Sequence, residues 1–182
     1  KLQQKTYYEL LALMLLKKQF PSIYTELEYM GGNHTPDLEA SDHSIGVEVT
    51  CAFKPEHMER QAFFDEYAGR KYSDIPTKVH ERLYKCGKSF GNDNGTASML
   101  IDNGYYDSFL HPEEQESLAK ECIKKKNVKL NSGKTYSTNR SQELFVFLKE
   151  NLSFKAINEI SNFTWQLQSD NTRFDKIYIS SN

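Results

Sequence analysis

Pro36-Asp37-Leu38-Glu39-Ala40-Ser41-Asp42-His43-Ser44-Ile45-Gly46-Val47-Glu48-Val49-Thr50 is the stretch on which the fold turns. Two short β-prone runs, 36–40 and 45–51, flank a polar cluster at 41–44, so the segment reads as a hairpin. An even-length connection sets the register. Ala40 then faces Ile45, Leu38 faces Val47 and Pro36 faces Val49, all apolar and on one face, as a half-buried sheet requires. On the other face Glu39 lies opposite Gly46, Asp37 opposite Glu48 and Thr35 opposite Thr50. Like charges directly opposed destabilise a strand pair. A hard divalent cation with oxygen ligands would relieve the pair, with Glu39 as a further carboxylate nearby. The plainer alternative is a solvated polar face whose acids pair with Lys or Arg from a neighbouring element.

Outward from the hairpin, residues 5–19 read as a helix, apolar on most sides and therefore buried, stopped near Pro21. Residues 22–29 alternate and read as a strand. After the hairpin come helices at 55–69 and at about 75–85, a loop at 91–95 and a short apolar strand at 97–101. A helix over 112–126 is acidic at its start and basic at its end, as the helix dipole prefers. Residues 127–142 read as loop or weak hairpin, and 143–149 stay open between strand and helix. A helix over 155–168 and a strand over 174–180 complete the chain. This order predicts an α/β (α+β) fold, a mixed central sheet flanked by helices.

The 182 residues fit a single domain, 1–182, long enough to bury a core without staples. A net charge of −2 gives no global field for nucleic acid or membrane, so any nucleic acid must meet a local basic surface. Three scattered cysteines favour free thiols and a cytoplasmic location over a disulfide framework. Cys51 falls on the apolar side of its strand and reads as a core thiol. The longest apolar run, 10–16, is too short to span a membrane. The five histidines form neither HExxH nor a zinc spacing. The 124–126 lysine run with Lys129 and Lys134 could touch phosphate, but such a run is more often a solvated helix end. Tyr105, Tyr106 and Trp165 could stack bases, though packing is their usual role.

Pro36-Asp37, ten residues, then Glu48-Val49-Thr50 within an apolar strand resembles the PD-(D/E)XK superfamily, the restriction-endonuclease-like nucleases. That family has a Pro-Asp, a variable gap, then an acid, any residue and a lysine. Its fold begins with a helix, three meandering strands, a helix and a further strand. The resemblance covers about 5–105, with 106–182 completing the sheet or forming a recognition subdomain. It implies a Mg²⁺- or Mn²⁺-dependent nuclease acting on nucleic acid, DNA before RNA, and often as a homodimer. Asp37 and Glu48 would be the metal-binding carboxylates, and Glu9 on the first helix the auxiliary acid. For Glu9 the plainer reading is an acid placed favourably near a helix start. Thr50 stands where the family has its lysine. Arg82 and Lys85, on the helix that follows, are the candidates to replace it, with Lys78 on the same face and Lys54 a further choice. The alternative is a nuclease fold without catalysis, serving as a nucleic-acid or protein-binding module. A third possibility is an unrelated α/β binding or immunity-type protein whose acidic face meets a basic partner.

Overall fold

A computed structural model describes residues 4–31, 36–102, 112–131, 141–149, 151–167 and 174–181. The chain divides into two compact units, residues 1–52 with 110–182 and residues 53–109.

The first unit is a five-stranded mixed sheet in the order β1 (Leu27–Tyr29), β2 (Leu38–Ala40), β3 (Ile45–Ala52), β6 (Ser141–Leu148) and β7 (Lys176–Ser181), with helices α1 (Gln4–Gln19), α5 (Pro112–Asn131) and α6 (Phe154–Leu167). α1 spans Gln4–Gln19 and is followed by a single turn, α2, at Pro21–Tyr24. The strand expected over 22–29 is therefore only β1, Leu27–Tyr29, because Pro21 starts a turn of helix first. β1, β2 (Leu38–Ala40) and β3 (Ile45–Ala52) form the expected antiparallel meander. The hairpin register is as predicted where it is formed, with Leu38 opposite Val47 and Glu39 opposite Gly46. His43 takes φ +55° in the connection, where its amide donates to Ala40 O at 2.9 Å.

β3 pairs in parallel with β6 (Ser141–Leu148), which pairs in parallel with β7 (Lys176–Ser181). β6 is flanked on both sides by parallel partners, and Leu144 through Leu148 are all buried. That explains its unclear sequence signal: a strand covered on both faces reads as an unbroken apolar run rather than an alternation. The parallel crossover needs a helix. α5 (Pro112–Asn131) supplies it before β6, and α6 (Phe154–Leu167) supplies it before β7.

On one face Ala52, Leu144, Val146 and Leu148 pack against Ala119, Ile123 and Leu130 of α5 and Ile160 of α6. On the other, Tyr8 of α1 meets the Phe147 ring at 5.0 Å. α1 buries Ala12 and Leu16 but leaves Tyr7, Leu10 and Met14 exposed. It is not buried all round as expected, because it covers one side of a sheet and only one stripe faces inward. Gln115, fully buried, ties the strand ends together. Its amide donates to Ala52 O at 2.8 Å, and its carbonyl accepts from the Lys149 amide at 3.1 Å.

The second unit holds α3 (Pro55–Tyr67), α4 (Thr77–Lys85) and the hairpin β4–β5 (Lys88–Asp93, Thr96–Asp102). Ile75, Val79, Leu83, Phe90 and Ala97 form its core. The run at 97–101, expected to continue the main sheet, pairs within this hairpin instead, and the fourth strand of the main sheet is β6. The expected loop at 91–95 is the hairpin's turn. Asn94 and Gly95 both take positive φ, +48° and +82°, as a two-residue primed turn demands.

Candidate functional site

Three acids of the β2–β3 segment and one on α1 are buried: Asp37, Glu39, Glu48 and Glu9 are each less than 8% exposed. The face is therefore not a solvated one. Buried carboxylates must be paired or must hold a cation, and each of these has a partner.

Asp37 sits on a bend just before β2, outside the strand pairing. Its Oδ2 accepts from the Val49 amide at 2.8 Å, the amide of the peptide that joins Glu48 to Val49. Its Oδ1 meets Lys5 Nζ at 3.1 Å. Lys5 also reaches Glu9 Oε1 at 3.1 Å, one helical turn along α1. The direct opposition of Asp37 and Glu48 expected from the hairpin is thus replaced by a lysine and a backbone amide on Asp37.

Glu48 lies in β3 opposite Leu144 of β6, so it faces α5 together with Thr50 and Ala52. Lys126 Nζ is 2.5 Å from its Oε1, and Lys129 Nζ is 3.3 Å from the same atom. Among the described residues the cations on Glu48 are therefore on α5. Arg82 instead pairs with Glu59 at 2.7 Å within the second unit, and Lys85 is an exposed residue in the last turn of α4. Lys54 and Lys78 likewise belong to the second unit. The signal for Lys126 is present in the sequence. Ala119, Ile123 and Leu130 mark the inner stripe of α5, and Lys126 follows Ile123 by three and precedes Leu130 by four. A helix ending at 126 hides that stripe; α5 runs on to Asn131.

Burial raises the Glu9 carboxyl pKa, and the Asp37 carboxylate adds to the effect against the opposing pull of Lys5. Burial acts to lower the Lys5 pKa, but Glu9 and Asp37 outweigh it and hold the ammonium charged. A carboxyl whose pKa is raised on folding weakens the fold above its ordinary range, and that penalty fades as pH falls through the raised value. Glu9→Gln is therefore expected to stabilise the metal-free protein at neutral pH. It should also flatten the pH dependence just above the ordinary carboxylate range, as read by urea unfolding in EDTA.

Two buried carboxylate oxygens, Glu9 Oε1 and Glu48 Oε2, accept no hydrogen bond. The Lys5 ammonium lies beside the first as an ion pair without hydrogen-bond alignment. Such atoms are rare because the desolvation cost is poorly relieved. Among the described residues no three His, Cys, Asp or Glu side chains converge into a cage. Mg²⁺ characteristically takes one or two carboxylates and keeps several waters, a demand smaller than a three-ligand cage.

His43 Nδ1 lies 2.9 Å from Glu39 Oε1, so this pair is engaged locally. Burial pushes the Cys51 thiol up to about 12, which keeps it protonated and unsuited to nucleophilic attack. Trp165 is exposed on α6. Thr35, Tyr105, Tyr106 and Lys134 lie outside the described residues. Among the described residues no helix is long and apolar enough to cross a membrane.

Comparison with known proteins returns no match: no family model fits the chain, and no curated protein or solved structure resembles it significantly.

Proposed function

We propose that this chain is a divalent-metal-dependent nuclease of the restriction-endonuclease-like kind, with lysines from α5 in place of the lysine absent at Thr50. The observation that carries the reading is the buried Glu48 Oε2, which accepts no hydrogen bond. The order of the first unit supports it, since α1, the β1–β2–β3 meander, α5 and β6 follow the sequence of elements that the resemblance implies.

Asp37 and Glu48 would hold the Mg²⁺ or Mn²⁺ ion, with Glu9 beside Asp37. Bound there, the ion supplies Lewis-acid polarisation of a phosphodiester and an acidified water. The Val49 amide orients the Asp37 carboxylate, and Lys5 balances the charge of Glu9 and Asp37. Lys126 keeps an ammonium beside Glu48, where negative charge would grow on the phosphoryl oxygens. Lys129, more exposed, stands behind it.

Mn²⁺-dependent cleavage of single- and double-stranded oligonucleotides, DNA first and then RNA, tests this. Glu48→Gln is expected to abolish cleavage. Lys126→Met should slow it by roughly 10²–10³-fold, the usual effect of removing one preorganised charge-stabilising group. The second reading is a binding module without catalysis. It is favoured by the lysine already present on each of Glu9, Asp37 and Glu48. Oligonucleotide binding without cleavage in Mn²⁺ would establish it instead.

A further inference from the structure

The second unit carries a groove that this chemistry does not use. Its volume is about 440 Å³, and Tyr72, His80, Glu81, Tyr84 and Ser89 line it. The sequence brings these groups together simply. Val79 and Leu83 turn the inner stripe of α4 onto Phe90 and Ala97, which leaves His80, Glu81 and Tyr84 on the flank. Tyr72 opens the turn before α4, and its ring lies 4.9 Å from the His80 ring. Tyr84 is 60% exposed.

We propose that this groove binds one unpaired nucleobase of a nucleic-acid strand, guanine by preference. Aromatic side chains accept any base on their π-faces, which is how single strands are held. Glu81 adds selectivity. An ionised carboxylate only accepts, through two oxygens, and guanine presents two adjacent N–H donors on its Watson–Crick edge, the edge that proteins read in unpaired bases. Glu81 is exposed, and no cation pairs with it among the described residues. Lys78 and Lys85, three before and four after Glu81, are exposed on adjoining turns of α4. They place positive charge where the flanking phosphates of a strand would pass. A proline-rich peptide also docks on aromatic grooves, but it offers no donor pair to Glu81 and no anion to the lysines. The proposal shares only the nucleic-acid half of the proposed function and does not depend on the metal.

The test is fluorescence anisotropy of labelled dT oligomers carrying one central guanine or adenine, with the full chain in EDTA. The guanine oligomer should bind more tightly. Tyr84→Ala should weaken binding about tenfold, within the range of one lost stacking contact, while Tyr84→Phe retains it. Glu81→Gln should erase most of the preference for guanine over adenine, read as the ratio of the two affinities. EDTA removes the metal, so binding here is read apart from the Mn²⁺-dependent cleavage that tests the catalytic reading. Circular dichroism checks that each variant is folded. Unaltered affinity in folded Tyr84→Ala overturns the proposal. So does guanine selectivity intact in Glu81→Gln, binding of no oligomer at all, or saturation by a proline-rich peptide but not by oligomers.

Discussion

Mn²⁺ at about a hundred times its Kd is expected to raise the melting temperature of the wild-type protein by roughly 5–10 °C. A ligand that binds only the folded state contributes about 2.7 kcal/mol at that excess. For a chain of this size each kcal/mol moves Tm by about 2–4 °C. The rise should vanish in Asp37→Asn/Glu48→Gln, while EDTA leaves wild type and variant nearly equal. The variant keeps its fold on this account. The carboxamide introduced by Asp37→Asn can still accept from the Val49 amide, and the lysines that lose a charged partner, Lys5, Lys126 and Lys129, retain contact with water. An equal rise in both proteins would place the metal elsewhere. No rise in either would leave the lysines as the whole answer to the buried acids, and the binding module as the better reading.

The second large effect is expected at Glu143, the most deeply buried acid among the described residues. It is fully enclosed at the start of β6. Tyr24 donates to its Oε2 at 2.6 Å, while Lys176 at 2.9 Å and Ser141 at 3.2 Å donate to its Oε1. The Tyr24 and Tyr178 hydroxyls are themselves hydrogen-bonded. Burial and its bond to Glu143 push the Tyr24 pKa up, so it remains a donor. Glu143→Ala removes the acceptor at the centre of this network and opens a cavity beside it. The expected loss is about 3–5 kcal/mol, the usual cost of breaking a buried ionic network from one side. It should appear as a lower midpoint in urea with little change in slope. Glu143→Leu combined with Tyr24→Phe and Lys176→Met should recover much of it, since well-packed apolar replacements of buried ion pairs are often neutral. A loss below about 1 kcal/mol, the scale of a surface pair, would mean that the network is incidental. The bond to Glu143 also raises the Lys176 pKa. That contribution is complete below the ordinary lysine value and is lost as pH rises through the raised one.

The hairpin at residues 36–50 was legible because its turn, its alternation and its apolar face agree. The longer helices were legible from proline, glycine and charge at their ends, but the α2 turn was read as strand and α5 runs past its expected end at 126 to Asn131. What misled was strand identity. Ala97–Ile101 and Phe145–Leu148 are both short apolar runs, and periodicity alone cannot say which one enters a central parallel sheet. The Asn94-Gly95 pair was the missed clue, because it claims the run at 97–101 for a local hairpin. Within the site, Asp37, Glu48 and Glu9 could be picked out from the motif and helix position. Lys5 and Lys126 could not be paired with them without knowing which helices cover which face. Lys126 in particular meets Glu48 across 78 positions of sequence.

That long reach has a consequence for how the chain acquires its structure. Ile45 of β3 pairs with Ser141 of β6, and the whole second unit lies between them in sequence. Lengthening a loop adds little to the equilibrium cost of closing it, because that cost grows only logarithmically. Rates respond more strongly, since non-local parallel pairing is intrinsically slow to form. The inserted hairpin and its two helices rely on near-neighbour contacts and can consolidate first. Once folded, they shorten the flexible part of the connection between β3 and β6. The insertion would then act as an internal scaffold for the slowest step of folding, and excising it in favour of a flexible linker should slow the formation of β6 more than it weakens the finished sheet.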